Sequence, residues 1–322
     1  MDNPWPVLKF QELRDTLETL HRWTQIVGKI RLALAPTTNH LWSSALNVTS
    51  RGLATPPMPF GWNTLELELD LTGHALVFRT SADELRSLEL RPCAVADFHD
   101  EVFETLFELG LELTINERPQ EITSEALPLS EDRLHFAYDR DQAHRLWRAL
   151  ASTAIVLEEF RARFTGKCSP VHFFWGAFDL CVTRFSGSVA PPRPGADFVT
   201  QEAYHDEVSS AGFWAGDEVV AMPAFYAYFA PAKAGYESAT VRPDAASWEP
   251  KRGEFVLPYD AVRLSPAPRT VLLEFLQSTF EAGARLGGWD PALERAVRDR
   301  RSSAVKRVGT ERHEVEGELR VL

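Results

Sequence analysis

The sequence predicts an α+β fold of two tandem similar halves, each a mainly antiparallel sheet backed by helices, packed into one compact unit. Three observations predict it. Runs with helical period alternate along the chain with short runs of period two. The strand-like runs are joined by turn-length links such as Thr72-Gly73, which suits antiparallel neighbours. A set of short motifs also recurs in one order in both halves, as expected of an internal duplication.

The recurring motifs begin where an amphipathic helix ends, at Gly28-Lys29 and again at Gly166-Lys167. A histidine then precedes a tryptophan, in His40-Leu41-Trp42 and in His172-Phe173-Phe174-Trp175. Val48-Thr49 with Arg51 and Gly52 matches Val182-Thr183 with Arg184 and Gly187, and both runs reach Pro-Pro, at Pro56-Pro57 and Pro191-Pro192. The implied organisation is a first half over 1–118, a Pro- and charge-rich linker over 119–140, a second half over 141–300 that holds the pocket, and a charged tail over 301–322.

Within the first half, Leu13, Leu17, Leu20 and Ile26 define a helix over 8–27. Ile30–Ala35 reads as a strand stopped by Pro36, and His40–Ser50 as a second strand. Thr64–Leu71 alternates apolar and acidic residues and pairs with Ala75–Thr80 as a hairpin, with a short strand at Leu88–Leu90. A helix over Val95–Leu109 ends at Gly110, and Leu111–Ile115 returns as a strand. In the second half a long helix covers Asp141–Phe164, and Val171–Phe185 reads as one central strand. Pro191–Pro223 reads as mostly loop, Ala224–Ala230 and Glu254–Leu257 as strands, and Thr270–Leu286 and 291–300 as helices.

Composition narrows the function classes. The 322 residues carry a formal net charge of −12, which disfavours broad electrostatic binding to nucleic acid or to an anionic membrane surface. No apolar segment is long enough to span a bilayer, and the acidic start MDNPWPVLKFQELRDTLETL does not read as a signal peptide. Three separated cysteines, Cys93, Cys168 and Cys181, suit a reducing compartment, so the expected location is cytoplasmic. Nine tryptophans and twenty phenylalanines suit a large core or an aromatic ligand cavity.

The motifs QIVGK, NHLW, SPVHFFWGAFDLCVTRFSG, EAYHDE, GFW and EFVLPY together resemble a widespread bacterial family, the domain of unknown function 5996. The resemblance runs from about Trp5 to Trp289, with Leu41 and Ala215 departing from the family pattern. It implies no particular activity, because the family carries no assigned one.

Candidate chemistry concentrates in Gly166–Pro192, where His172, Asp179 and Arg184 sit among Phe173, Phe174, Trp175 and Phe178. Polar groups set among aromatics must find partners or cost folding energy, so the stretch is either a structural keystone or the floor of a site. Read as one strand, it puts His172, Phe174, Leu180 and Arg184 on one face and Trp175, Asp179 and Cys181 on the other. On the site reading, His172, Asp179, Arg184, His205 and Glu207 are the catalytic candidates. Phe174, Trp175, Phe213, Trp214, His40 and Trp42 are then the ligand-binding candidates, with Phe213-Trp214 as a lid. The ligand expected is a small molecule, and the arginines suit an anionic group.

His40 and His172, with His205, Asp206 and Glu207, supply enough nitrogen and oxygen donors for a metal-dependent alternative, but no close His pair such as HExxH specifies one. No cofactor is implied. Gly28-Lys29 and Gly166-Lys167 lack the rest of a P-loop, and Ser169 and Ser186 lack a GxSxG setting. The rival from another class is a non-catalytic scaffold or binding protein whose aromatic block is core.

Overall fold

The computed structural model describes residues 4–122, 126–217 and 220–294. Helix α1 (Phe10–Leu34) buries Leu13, Leu17, Leu20, Trp23, Ile26 and Ile30. It runs through both Gly28 and the expected strand at Ile30–Ala35, stopping only before Pro36. Gly28 is interior because the indole of Trp175 packs on it: a Cβ there would lie 2.2 Å from that ring. A mid-helix glycine costs about 1 kcal/mol relative to alanine, and this close approach offsets it.

The expected strand at His40–Ser50 is strand only at Asn47–Val48; before it lies a 3-10 turn over Asn39–Ser44, with His40 and Leu41 in the left-handed region at φ 55° and 53°. The first sheet follows: β1 (Asn47–Val48), β2 (Gly52–Ala54), β3 (Met58–Phe60), β4 (Asn63–Asp70), β5 (Ala75–Thr80) and β6 (Leu85–Glu89). It is antiparallel, in the order β1-β2-β4-β5-β6, with β3 also on β4. Helix α2 (Val95–Glu108) closes this half, and the strand expected at Leu111–Ile115 is irregular chain.

Helix α3 (Arg140–Ala162) opens the second half, its start capped by the Asp139 side chain accepting from the Gln142 amide. The second sheet has six antiparallel strands in the order β11-β12-β10-β9-β8-β7. They are β7 (His172–Phe174), β8 (Asp179–Val189), β9 (Asp206–Trp214), β10 (Ala224–Ala230), β11 (Ser247–Glu249) and β12 (Glu254–Pro258). A short helix α4 (Phe198–Ala203) precedes β9, and α5 (Tyr259–Arg263) and α6 (Pro268–Leu286) follow β12. Residues 291–293 form one 3-10 turn in place of the expected helix, whose remainder lies, with the 301–322 tail, outside the described residues.

Two corrections matter for the site. The supposed single strand over 171–185 is a hairpin, β7-turn-β8, in which Phe174 faces Asp179 and His172 faces Cys181. The turn reverses the parity of the alternation, so His172 and Arg184 lie on opposite faces. The supposed loop over 191–223 contains β9, the central strand between β8 and β10. Its Ser-Ser-Ala-Gly middle has weak strand propensity, and its place between two long neighbours overrides that preference.

The fold is therefore α+β, with two antiparallel sheets and helices. Each half has the same coarse order of helix, antiparallel sheet, helix. Individual motif pairs fall on different elements, however: His40 sits in a 3-10 turn and His172 on β7, Val48 on β1 and Val182 on β8. The halves meet where Leu46 and Phe173 exchange two backbone hydrogen bonds of 2.8 Å, and one continuous apolar core runs through both.

Candidate functional site

A cavity of about 780 Å³ lies on one face of the second sheet, closed on its other sides by α1, the 3-10 turn, α4 and the chain at 114–121. The register shows why these side chains meet. Asp179 and Cys181 on β8 face Trp214 and Gly212 on β9, which face Ala224 and Tyr226 on β10. Residues opposite one another across a ladder share a face. This face thus carries Phe174, Asp179, Cys181, Thr183, Phe185, Ser210, Tyr226 and Tyr228 into the cavity. The other face carries Phe173, Leu180, Val182, Phe213 and Phe225 into the main core.

Asp179 is the centre of the site. Its Oδ2 accepts a short hydrogen bond from the Tyr226 hydroxyl, which crosses the intervening strand over Gly212. A Cβ on Gly212 would lie 2.7 Å from that hydroxyl oxygen, so the absence of a side chain opens the path. Burial pushes the Asp179 carboxyl up to about 7; the Tyr226 bond pulls the other way, and Glu121 and Glu254 add to the rise. Burial likewise raises the Tyr226 and Cys181 groups well above their ordinary ranges, so both are neutral at pH 7.

Around this pair the walls are aromatic. The Tyr204 and Tyr228 hydroxyls share a hydrogen bond of 3.0 Å, and Tyr228 stacks on Tyr226 at 6.1 Å. The Trp175 indole donates to the Ser44 carbonyl at 2.6 Å, which fixes its face against the cavity. Thr183 and Ser210 pair through their hydroxyls at 3.1 Å. At the mouth, Glu121 is exposed to solvent, yet the surrounding protein and then Asp197 raise its carboxyl. Asp197 caps α4 by accepting from the Thr200 amide at 2.7 Å. Lys29 is the one lysine or arginine of the lining; its Nζ donates to the Arg118 carbonyl at 2.8 Å and lies 5.5 Å from the Trp175 ring centre.

Of the residues singled out in sequence, Asp179, Phe174, Trp175, His40 and Trp42 line the cavity. His40 lies beside Lys167, whose Nζ donates to Nε2 at 2.6 Å, so Nδ1 carries the ring proton and donates to the Glu202 carbonyl. Lys167 also pairs with Asp206, which bonds His205, forming a polar chain from solvent to the cavity wall.

The remaining candidates are elsewhere. His172 is buried edge-on against Trp42 and Phe174, outside the lining; burial, then Arg31 and Arg161, push it down to about 4. Arg184 is wholly buried on the opposite face, its guanidinium over Phe160 at 3.4 Å and Phe280 at 4.3 Å, donating to the Phe160 carbonyl. His205 is exposed, and Glu207 is paired with Lys233 at 2.9 Å. Phe213 is core rather than lid, and Trp214 ends β9 under the Arg252 guanidinium. His40 and His205 both reach Asp206 and His172 packs among aromatic rings, and among the described residues no group of three His, Cys, Asp or Glu side chains is placed to hold a metal ion.

Sequence reading missed Tyr204, Tyr226, Tyr228, Ser210 and Glu121. A signal did exist in Ala224–Ala230, where alternation separates Tyr226 and Tyr228 from Phe225 and Phe229. For Glu121 there was none, because the stretch expected to be a linker is instead tied down over α1. Gln25 binds the Gln120 backbone twice, at 2.7 and 2.8 Å.

No helix among the described residues is long and apolar enough to cross a membrane. No curated protein and no solved structure matches the chain. A family model matches residues 5–295, nearly the whole chain, and this protein therefore belongs to that family, the family of unknown function DUF5996.

Proposed function

We propose that the protein is a small-molecule enzyme whose cavity holds its substrate against Asp179, which moves a proton. The observation that carries this reading is a carboxyl raised to about 7, opening into a large aromatic cavity. At neutral pH such a group is present in both forms, which is what a general acid–base residue requires. The Tyr226 hydroxyl steadies the ionised form, and the Asp179 backbone amide adds to that effect. The free cysteines support a cytoplasmic location, and the shared order of helix, sheet and helix supports descent from a duplicated unit.

A metabolite extract incubated with the wild type and with Asp179→Asn, compared by mass spectrometry, tests the activity. At least one compound is expected to be consumed by the wild type and about 10²–10⁴-fold more slowly by the variant. Identical profiles from a folded variant and the wild type would refute an acid–base role.

A further inference from the structure

The cavity's charge and its walls point to one class of occupant, an inference that rests on the cavity being a ligand site. Three carboxyl groups open onto it from three separate elements: Asp179 from β8, Glu121 from the chain over α1, and Asp197 from the start of α4. Among the described residues none of the three is in an ion pair. Lys29 does not offset them, because its Nζ is turned to the Arg118 carbonyl and its nearest acidic influence is Glu117, outside the lining. Arg184, the cation expected to receive an anionic group, lies on the far side of the sheet. The walls meanwhile present Trp175 and Tyr228 with Tyr226 and Tyr204 on either side of it, and aromatic faces attract a desolvated organic cation. An anionic ligand entering here would meet like charge at the mouth and, whenever Asp179 is ionised, at the floor.

We propose that the ligand is a small organic cation, an amine or quaternary ammonium carrying an apolar group. It enters past Glu121 and Asp197 and sets its charge against the tyrosine wall beside Asp179. The occupant fits the reading of Asp179 as a proton carrier, since an amine and its neighbouring carbons are sites of proton transfer.

Isothermal titration calorimetry of the full chain at low salt tests this with three probes of matched size: benzyltrimethylammonium, benzyl alcohol and phenylacetate. The cation is expected to bind at least tenfold more tightly than the alcohol, and phenylacetate not at all. Glu121→Gln with Asp197→Asn is expected to weaken the cation about tenfold and leave the alcohol unchanged, with unaltered thermal unfolding as the check on folding. Equal or tighter binding of the alcohol or the carboxylate overturns the cation preference and leaves the cavity reading standing. Absence of binding by all three overturns both.

Discussion

Asp179 sets a pH dependence that can be read in stability without knowing the substrate. The folded chain keeps its proton up to about pH 7, whereas the ordinary value is 3.8. Between these limits the folded state binds more protons than the unfolded state, so stability falls as pH rises and levels off above 7. A carboxyl held that far above its ordinary value costs at most ~4 kcal/mol once ionised. Asp179→Asn is therefore expected to unfold at a higher temperature than the wild type at pH 8, with the gap narrowing towards pH 5. An equal gap at both values would show that Asp179 is not buried as described. Asp179 was legible in sequence because it stands in a dense polar–aromatic run. Its partner was not, because Tyr226 lies 47 residues away and only strand pairing brings them together. Arg184 and His172 looked alike in that run, and burial separates them: neither reaches the cavity.

At the scale of elements, the four-residue turn 175–178 decides which side chains line the site, by pairing Phe174 with Asp179. Strand β9 then supplies the gap at Gly212. Gly212→Ala should press on the Leu180 carbonyl of β8 as well as pushing the Tyr226 hydroxyl away from Asp179, costing about 1–3 kcal/mol of stability or more. It should also raise the carboxyl's titration further, because the bond that holds it down is lost; infrared titration of the carboxyl band measures this. Behind the same sheet, Arg184 is a cation among phenylalanine rings of α3 and α6, with Nε and Nη1 lacking hydrogen-bond partners among the described residues. Arg184→Met is expected to be neutral or stabilising in chemical denaturation, and Arg184→Ala to cost about 2–5 kcal/mol through the cavity left behind. The hairpin β4–β5, α2, α3, β10 and α6 were legible because their periodicity is strong. The β7–β8 turn and β9 were not, since an aromatic run hides a turn and small residues hide a strand.

At the scale of the whole molecule, α1 and the segment before it belong to the core of both halves. Trp5 packs on Phe225 and Tyr259, the Tyr259 hydroxyl donates to the Pro6 carbonyl at 3.0 Å, and His21 bonds the Gly176 carbonyl at 2.8 Å. Trp23 of the same helix stacks on Phe98 in α2. Calorimetric unfolding is accordingly expected in a single transition; two resolved transitions would show that the halves fold separately. The two-sheet organisation was legible from the alternation of helical and period-two runs, whereas the motif pairs do not occupy matching elements. The seam at Leu46 and Phe173 has a consequence for solubility as well as for architecture. A sheet's unpaired border invites pairing with other chains, and here each half covers the border the other would leave open. Among the described residues the outer borders left are β6, which carries Arg86 and Glu89, and β3 and β11, each only three residues long. Charge and shortness are the usual protections at such borders, and the join leaves each sheet one border fewer to protect.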